Sequence, residues 1–366
     1  MKSMPKTISL WPVCNFGVST FCIIKQYFLT TLKNIKRTTM NYLIFGGEGF
    51  IGKQLAKYLT KELSIPQENI YSFDIKASTA SSNYTHLDVR EKINLSISNI
   101  QNSIIFNLAA VHTTPGHPDY DYFETNILGA ENICDFADRN GITKIVFTSS
   151  IAPYGASEDN KTEGTLPLPN TPYGISKLAA EYIHKTWQAK DHANRKLAIV
   201  RPGVVFGKGE NGNFTRLYAA MRKKFFFYPG RKDTVKASVY VKDVVRIMYE
   251  SINSDLPNNL DTFNLTYYPA PTLEDICVTI AKVTGVPKPR ILVPSWLLRS
   301  AATMIYGSGL VIGKEFKGIH PARVKKLMVS TNISGDKLYN SPYKLQYTLT
   351  EALTDWYNDC DQKGLY

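Results

Sequence analysis

Short apolar runs alternate along the chain with longer stretches whose apolar residues recur at helical spacing. Residues 42–45 are all apolar, which is typical of a strand buried on both faces of a parallel sheet. Three glycines follow, and residues 53–63 then carry apolar side chains on one helical face. The same succession predicts strands at 70–73, 86–89, 103–108, 144–148 and 197–200, and helices at 90–100, 119–140 and 172–193. Strands that alternate with helices in this way predict an α/β fold with a doubly wound parallel sheet.

The alternation becomes less regular after Gly203. The pattern there predicts a strand at 237–241 and helices at 214–224, 244–252, 273–283, 294–306 and 349–360. We therefore expect residues 40–203 to form a Rossmann domain. Residues 204–366 should form mainly a smaller, mixed α/β substrate-binding lobe, with part of the chain returning to the Rossmann domain. The stretch 294–306 is apolar but includes Arg299, which favours a packed helix over a membrane contact.

The glycines after the first strand have the spacing G-x-x-G-x-x-G, at Gly46, Gly49 and Gly52. Three glycines alone can mark an ordinary turn, but here they lie between a predicted strand and a predicted helix. In that setting Gly46 permits a tight turn, Gly49 lets the backbone approach a pyrophosphate, and Gly52 lets the helix pack on the strand. The N–H groups at the start of the helix can then bind the anion. This stretch predicts a dinucleotide-binding site.

An acidic residue, Asp74, ends the second predicted strand, 22 residues after Gly52. A carboxylate there can accept both ribose hydroxyls of an adenosine and repels a 2′-phosphate, which favours NAD over NADP. Lys76, two residues later, weakens this preference slightly. The alternative is that Asp74 only caps a turn or a helix.

Tyr173 and Lys177 have the spacing i and i+4, which places both on one face of a predicted helix. Free tyrosine has a pKa of about 10 and is a poor base at neutral pH. A nearby ammonium, together with the positive nicotinamide ring, would lower that pKa and let Tyr173 accept a proton from a substrate alcohol. Ser150 follows the strand at 144–148, where its hydroxyl can hold the reacting oxygen. The alternative for Ser150 is a capping or turn serine.

Charge and cysteine content narrow the class of protein. The net charge is +12, but no dense basic stripe with interleaved aromatic residues is present, so nucleic-acid binding has little support. Five cysteines, an odd number without a C-x-x-C pair, indicate neither a disulfide framework nor a metal site. They suit a reducing compartment, and we expect a cytoplasmic protein.

Residues 1–39 do not resemble the rest of the chain. They contain six basic residues and no acid, so half of the net charge lies there. Residues 7–24 form an uncharged run of 18, which allows a signal-anchor or a membrane-surface segment. This run contains Pro12, Asn15 and Gly17 and is short for a span. We favour an N-terminal extension outside the fold, with Met40 as a possible true start.

The motifs together resemble the extended short-chain dehydrogenase/reductase superfamily, specifically the NAD-dependent epimerase/dehydratase family, with greatest similarity to UDP-glucose 4-epimerase-like enzymes. The resemblance covers about residues 40–360. It rests on Gly46 to Gly52, Asp74, Asp88-Val89, Asn107 to Ala110, Asn126 to Gly129, Thr148 to Ser150, Tyr154-Gly155, Tyr173 to Lys177, Arg201 to Gly203, Phe206-Gly207 and residues 239–241 before Asp243.

The resemblance implies roles for individual residues. Ser150, Tyr173 and Lys177 would form the catalytic set. Cofactor contacts are implied for Gly46, Gly49, Phe50, Ile51, Gly52, Asp74, Asp88, Val89, Leu108, Ala109, Ala110, Asn126, Tyr173, Lys177 and Pro202. Asp88 and Val89 would flank the adenine, and Pro202 would lie near the nicotinamide amide.

Two departures from the family pattern narrow the reaction. Ile151 and Ala152 stand where related dehydratases have an Asp-Glu pair and decarboxylases a glutamate, so neither position can deliver a proton. In the substrate lobe, Asn213 resembles the family's diphosphate contact, but Lys236, with Arg231 upstream, stands where an arginine is usual. Lysine is a point charge and lacks the bidentate fork of arginine, which weakens the diphosphate assignment.

Three functions are consistent with these observations. The leading hypothesis is an NAD-dependent nucleotide-sugar 4-epimerase or 4-reductase in polysaccharide or cell-surface sugar biosynthesis, acting as a homodimer. The second is a dehydrogenase or reductase of a sterol-like or other hydrophobic alcohol, which the apolar residues 296–312 and the N-terminal segment would suit. The third is a dinucleotide-sensing regulator, which would not need Ser150, Tyr173 and Lys177 together.

A chain that begins at Met40 is expected to stay soluble and to keep its melting temperature and turnover, because the first predicted strand begins at Tyr42. Thermal unfolding and an activity assay of the shortened and full-length chains check this expectation. Aggregation or loss of turnover would show that residues 1–39 belong to the fold.

Overall fold

The computed structural model describes residues 40–78, 83–113, 116–298, 300 and 328–366. The uncharged run at 7–24 and most of the apolar stretch at 294–306 lie outside these residues. Within the described part of the chain, no helix combines the length and apolar character needed to span a bilayer.

Seven parallel strands form the central sheet, in the order β11-β7-β5-β4-β1-β2-β3. This is the order of a doubly wound sheet, which confirms the predicted fold class. The strands of the described residues are β1 Asn41–Phe45, β2 Ile70–Asp74, β3 Tyr84–His86, β4 Ser103–Asn107, β5 Lys144–Thr148, β6 Ser157–Lys161, β7 Lys196–Pro202, β8 Val204–Phe206, β9 Tyr228–Pro229, β10 Ser238–Tyr240, β11 Leu260–Leu265, β12 Leu292–Val293 and β13 Thr331–Ile333.

Helices cover both faces of the sheet. The helices whose bounds lie within the described residues, on the sheet and in the C-terminal region, are α1 Phe50–Lys61, α2 Asp119–Phe123, α3 Gly129–Arg139, α4 Pro172–Ala189, α5 Asn213–Arg222, α6 Val241–Asn253, α7 Leu273–Thr284, α8 Asp336–Tyr339 and α9 Leu349–Asp359. A π-helical turn, Glu124–Leu128, joins α2 to α3, so the helix predicted at 119–140 is one continuous helical stretch that ends before Gly141.

The alternation of side chains along β1 creates two cores. Tyr42 and Ile44 face a core that contains buried residues of α1 and α6. Leu43 and Phe45 face the opposite core, which contains buried residues of α3 and α4. Because side chains of a strand point alternately to opposite faces, a fully apolar strand requires both cores, as the sequence predicts.

Two predictions about local structure are wrong, and one strand was missed. No helix forms at 90–100, where Ile93, Leu95 and Ile97 pack on the second core at alternate positions. Spacing of two residues suits an extended segment and not a helix. The third strand is Tyr84–His86, two residues before the predicted start. The edge strand β11 was not predicted, because its sequence, LDTFNL, includes three polar residues.

The C-terminal half of the chain contributes to both parts of the fold. Strand β11 pairs with β7 in the central sheet, and α6 packs into the core shared with α1. The remaining short strands form the pairs β10–β8, β12–β9 and β13–β6. A third core, formed largely by α5, α7 and α9, supports this region. The division of the chain at residues 203/204 into two domains stays a prediction.

A buried carboxylate, Asp243, connects α6 to the segment before α9. It accepts hydrogen bonds from the backbone N–H of Gln346 at 2.8 Å and of Tyr347 at 3.3 Å, and from the Arg246 guanidinium at 3.1 Å. Asp243 is fully buried and Arg246 nearly so. Arg246 also donates to the Glu250 carboxylate and the Lys344 carbonyl, so the two backbone N–H groups are the members that depend on Asp243 alone.

Asp243→Ala is expected to lower the free energy of unfolding by about 2–4 kcal/mol, because the N–H groups of Gln346 and Tyr347 lose their acceptor, whereas Arg246 keeps its bonds to Glu250 and the Lys344 carbonyl. Asp135→Ala is the matched control, since Asp135 pairs with Arg139 on an exposed helix face, where such pairs contribute about 0.2–1 kcal/mol. Urea unfolding of both variants measures the difference. Equal losses would contradict the role given to Asp243.

Candidate active site

The turn after β1 leaves no room for side chains at two of its three glycines. A Cβ at Gly46, whose φ is +81°, would lie 2.7 Å from the backbone nitrogen of Ala109. A Cβ at Gly52 would lie 2.5 Å from the Gly46 carbonyl oxygen, and one at Gly49 would lie 3.2 Å from that same oxygen. The turn is therefore a backbone cradle, closed on one side by the loop after β4. Such a cradle fits the pyrophosphate of a dinucleotide.

Helix α1 starts directly from the cradle and has no side-chain cap. Its N-cap residue is Gly49, and its first turn contains no acidic residue. The N–H groups of this turn are thus left for an anion, and the helix dipole adds to their attraction. Glu48, just before the helix, accepts a 2.7 Å hydrogen bond from the Ser72 hydroxyl and faces Lys53 at 3.8 Å. The Glu48 carboxylate is therefore engaged by Ser72 and Lys53, close to the start of α1.

Asp74 stands at the end of β2, beside the cradle. One carboxylate oxygen accepts the backbone N–H of Glu48 at 3.0 Å, and the other accepts that of Lys76 at 2.9 Å. Asp74 therefore caps the backbone of the cradle turn, which is the alternative role predicted for it from the sequence. Each oxygen has a further lone pair, so a ribose contact is compatible with both bonds. That contact stays a prediction.

The next two predicted cofactor residues have clear structural partners. Asp88 receives a bidentate ion pair from Arg90, with distances of 2.6 to 3.0 Å, and this hydrogen bonding lowers the pKa of the Asp88 carboxyl. Val89 is buried, and its methyl group lies 2.7 Å from where a Cβ on Gly129 would stand. Gly129 thus lets the π-helical turn approach the segment after β3.

Asn126 holds the loop after β4 to the helix that carries Tyr173. Its amide donates to the Ser176 hydroxyl at 2.8 Å and to the Val111 carbonyl at 3.1 Å, and its oxygen accepts the Val111 N–H at 3.0 Å. The structure thus shows Asn126 as a link within the protein, and its predicted contact with a cofactor stays a prediction. This link fixes the loop formed by Leu108, Ala109 and Ala110 over the cradle.

The predicted catalytic residues meet at the carboxyl end of β5. Helix α4 begins at Pro172, and the Thr171 hydroxyl accepts the Gly174 N–H at 3.1 Å to cap it. Tyr173, in the first turn, lies close enough to Ser150 for the serine side chain to affect its pKa. Lys177, one turn later, is buried and donates from Nζ to the Thr148 carbonyl at 2.8 Å. Two backbone segments, the end of β5 and the start of α4, thus bring the three side chains together.

Burial dominates the ionisation of both titratable groups. It raises the pKa of Tyr173, while the Ser150 side chain acts in the opposite direction. Burial lowers the pKa of Lys177 to about 7, while the charge of Glu181 acts in the opposite direction. The sequence predicts a lowered pKa for a tyrosine that faces both an ammonium and a nicotinamide ring. In the protein alone, desolvation outweighs any effect of Lys177.

A buried ion pair lies one helical turn beyond Lys177. Arg201, on β7, donates two hydrogen bonds to the Glu181 carboxylate, at 2.8 and 2.5 Å. The Ser149 hydroxyl donates to the same carboxylate at 2.5 Å. Arg201 also donates to the Tyr154 hydroxyl, which in turn donates to Asn264 on β11 at 3.0 Å. The pair therefore joins α4, β7, β11 and the residue next to Ser150.

Glu181 is a buried residue of the site for which no role was predicted from the sequence. A signal was available, since residues 173, 177 and 181 have spacing of four and share one face of the helix. A carboxylate on the buried face of a helix requires a charged partner. Arg201, the partner, lies in a strand that was predicted, but nothing local in the sequence pairs the two residues.

The predicted substrate contacts are largely engaged with other parts of the protein. Arg231 pairs with Glu158 at 2.5 Å and donates to the Ser330 hydroxyl at 2.7 Å. Lys236 donates to the Val329 carbonyl at 2.8 Å. Arg231 and Lys236 therefore meet at one segment, 329–330, whereas Asn213 opens α5, elsewhere in the chain.

The start of α5 already has a negative partner. The carboxylate of Glu210, which is buried, accepts the N–H groups of Phe214 at 3.3 Å and Thr215 at 2.9 Å, together with the Thr215 hydroxyl. The exposed Asn213 side chain accepts from Arg216 at 3.2 Å. An anionic ligand at Asn213 would thus lie close to a carboxylate, and its contact with a diphosphate stays a prediction.

The residues after Ser150 are apolar and hold the local backbone. The Ile151 N–H donates to the Pro202 carbonyl at 3.2 Å, and the Ala152 N–H donates to the Ser150 hydroxyl at 3.1 Å. These bonds orient the Ser150 side chain and place Pro202, the end of β7, beside it. Neither residue 151 nor residue 152 has a side chain that can exchange a proton.

Known structures share this fold. The chain superposes on the UDP-glucuronic acid 4-epimerase from Bacillus cereus in complex with NAD with a TM-score of 0.64, at 18% identity, over 88% of this chain and 99% of the other. The L-threonine dehydrogenase from Clostridium difficile gives a TM-score of 0.68, at 20% identity, over 90% and 100% of the two chains. At these identities the likeness shows the fold alone.

Most of the chain is similar in sequence to a characterised relative. The N-acetyl-alpha-D-glucosaminyl-diphospho-ditrans,octacis-undecaprenol 4-epimerase from Escherichia coli O157:H7 is 27% identical over 316 residues, which are 86% of this chain and 93% of the relative. The profile of the NAD dependent epimerase/dehydratase family matches residues 42–265. NAD is the cofactor in that description, which confirms the predicted cofactor. With the glycine cradle, the strand order and this match in agreement, the chain belongs to the NAD dependent epimerase/dehydratase family.

Proposed function

We propose that this protein is an NAD-dependent 4-epimerase of a diphosphate-linked sugar. One observation carries the proposal: Ser150, Tyr173 and Lys177 converge at the carboxyl end of β5 in a chain that has Ile151 and Ala152 directly after the serine. This combination supports reversible oxidation of an alcohol and supplies no additional proton donor at those positions. A 4-reductase would use the same residues.

The cradle residues would hold the cofactor. Gly46, Gly49 and Gly52 leave space for a pyrophosphate against the first turn of α1, and Asp74 stands where a ribose would follow. Bound in this cradle, NAD would supply reversible hydride transfer with the sugar carbon. The other predicted contacts would then lie on the loops after β3, β4 and β7.

Tyr173 supplies the proton transfer. Its phenolate accepts the proton of the sugar C4 hydroxyl as the C4 hydride leaves, which yields a 4-keto sugar. Ser150 donates a hydrogen bond to the reacting oxygen. After the sugar has turned in the pocket, Tyr173 returns the proton to that oxygen as hydride is added to the opposite face of C4. No electrons or protons are gained or lost overall, so the reaction is an isomerisation.

Lys177 favours the phenolate whenever it carries its charge. Its lowered pKa, about 7, lets the ammonium deprotonate near neutral pH. The Thr148 carbonyl and the charge of Glu181 oppose the cost of burying it. Lys177 thus connects the base to the buried ion pair. Its contact with the nicotinamide ribose belongs to this proposal.

The substrate class is inferred from relatives. The relative from Escherichia coli is named for an N-acetylglucosaminyl group on an undecaprenyl diphosphate, and the Lacticaseibacillus casei UDP-glucose 4-epimerase is 32% identical over 39% of this chain. A sugar attached through a diphosphate is the chemistry that these two names share. The homodimer and the cytoplasmic location stay predictions.

NAD⁺ is expected to bind more tightly than NADP⁺, because the Asp74 carboxylate repels a 2′-phosphate. Asp74→Asn should narrow the difference, since it removes the charge while its amide oxygen can still accept the Glu48 N–H. Titration calorimetry with both cofactors and both proteins measures this preference. Equal affinity of the parent protein for the two cofactors would refute the assignment of Asp74.

Tyr173→Phe is expected to lower single-turnover hydride transfer by about 10²–10⁴-fold with NAD affinity nearly unchanged, because it removes the proton acceptor and keeps the ring. Cofactor absorbance is followed with UDP-, dTDP- and polyprenyl-diphosphate sugars. Tyr182→Phe is the matched control, since Tyr182 is an exposed tyrosine of the same helix. Lys177→Ala should also weaken NAD binding.

A sugar that the Tyr173→Phe variant turns over at nearly the parental rate would show that another group is the base. If neither substitution affects any reaction, a regulatory role gains support. Co-purification of NAD separates an epimerase from a net dehydrogenase, since the first can retain its cofactor through turnover and the second must exchange it.

A further inference from the structure

Large apolar side chains are exposed around the strand pair β9–β12. Phe225 has 78% of its surface exposed and Trp296 has 68%. The other members of this group, all exposed, are Phe227, Ile291, Leu292 and Leu297. We call these six residues, with the neighbouring Lys223, Lys224 and Arg290, the β9–β12 surface. Single exposed apolar residues are ordinary, but six of them on two paired segments of the chain indicate an interaction site.

Backbone hydrogen bonds bring the two halves of this surface together. The Tyr228 N–H donates to the Ile291 carbonyl, and the Gly230 N–H donates to the Val293 carbonyl, both at 2.8 Å. These bonds place Phe227 next to Ile291. A helix begins at Ser295, shortly after β12, as predicted from the sequence, and the Leu297 N–H donates to the Pro294 carbonyl at 3.1 Å.

The surface rests on a packed base. The Tyr228 ring is fully buried in the third core and packs edge-on against Phe226, with ring centroids 5.7 Å apart. The turn that carries Phe225 is fixed to α5, because the Lys224 N–H donates to the Met221 carbonyl at 2.9 Å and the Phe225 N–H to the Ala220 carbonyl at 2.9 Å. These backbone hydrogen bonds fix the position of Phe225 at the end of α5, where its side chain is exposed.

Basic residues outnumber acids around this surface, and the acids Asp233, Glu158 and Glu274 pair with Arg231, Lys232 and Lys288. Residues 219–232 contain five basic residues and no acid, and residues 282–298 contain three basic residues and no acid. Glu274 reaches the edge of the group and pairs with Lys232 at 3.7 Å and Lys288 at 3.2 Å. Lys223, Lys224 and Arg290 are exposed, and no ion pair with an acid is found for them among the described residues.

We propose that the β9–β12 surface docks onto an anionic lipid bilayer. Exposed aromatic residues flanked by exposed lysine and arginine suit the interface of a membrane, where rings enter the headgroup region and cations meet anionic lipids. The excess of basic residues favours an anionic partner over a second copy of this surface, which would repel it. A partner that binds through charge alone would leave the apolar side chains of this surface exposed to water.

This proposal goes beyond the proposed function and uses none of the catalytic or cofactor residues. A bilayer contact would bring the enzyme to a lipid-linked substrate, but docking is measured without turnover. A failure to bind vesicles and a failure of catalytic turnover can therefore be distinguished by experiment.

The test is co-sedimentation of the full-length protein with lipid vesicles. Vesicles of phosphatidylcholine mixed with phosphatidylglycerol are expected to bind the protein, and vesicles of phosphatidylcholine alone are expected to bind it much more weakly. Binding should fall as salt is raised, because the Debye length shortens from about 10 Å at 0.1 M to about 3 Å at 1 M.

Two double variants separate the ionic and apolar contributions. Lys223→Gln with Lys224→Gln is expected to lower the partition coefficient about 25-fold, or about fivefold for each lysine. Phe225→Ser with Trp296→Ser is expected to lower it by at least about tenfold. Both variants should keep the parental melting temperature and NAD affinity, because all four side chains are exposed.

Two control variants replace exposed lysines with glutamine, or exposed apolar residues with serine, outside the β9–β12 surface. Lys57→Gln with Lys61→Gln removes two exposed lysines from α1, and Leu166→Ser with Leu168→Ser removes two exposed leucines from a loop. Both controls should bind vesicles as the parent does. Absence of binding to anionic vesicles would overturn the proposal and point to a protein partner for this surface. Binding that both surface variants retain would overturn it too, by assigning docking to another segment such as residues 7–24.

Discussion

A buried pair of opposite charges, Glu181 and Arg201, connects the helix that carries Tyr173 to the central sheet. Neither side chain is accessible enough to be solvated by water, and each takes nearly all of its hydrogen bonds from the other or from Ser149 and Tyr154. Removing one partner of such a pair typically costs about 3–5 kcal/mol, because the other charge stays buried alone. The position of Tyr173 relative to Ser150 depends on this pair, since it holds both α4 and the end of β5.

The same pair shapes the electrostatics of the site. Lys177 is buried against the Thr148 carbonyl and the Phe147 ring, and burial alone would drive it to lose its proton. Glu181 acts against that tendency from one helical turn away. The balance leaves the pKa of Lys177 at about 7. A lysine that gains and loses its charge near neutral pH can change the basicity of Tyr173 within the working range of an enzyme.

The C-terminal half of the chain uses its charges in two distinct ways. Arg231 and Lys236 bind the segment at 329–330 and so hold β13 beside β6. Lys223, Lys224 and Arg290, near β9 and β12, are instead exposed to solvent, as are the aromatic side chains of the β9–β12 surface. Sequence composition alone does not distinguish these uses, because a lysine that folds the lobe and a lysine that binds a partner have the same local pattern.

The sequence by itself determined the elements whose signals are local. The glycines at 46, 49 and 52, the apolar strands β1 and β5, and the spacing of Tyr173 and Lys177 were all predictable, because backbone sterics and periodicity act over a few residues. Only the tertiary structure decided that residues 93–97 run extended, that the half-polar β11 completes the sheet, and that Glu181 pairs with Arg201. Those outcomes depend on partners distant along the chain. The free energy of pairing buried charges and covering a sheet face is defined only when those partners meet.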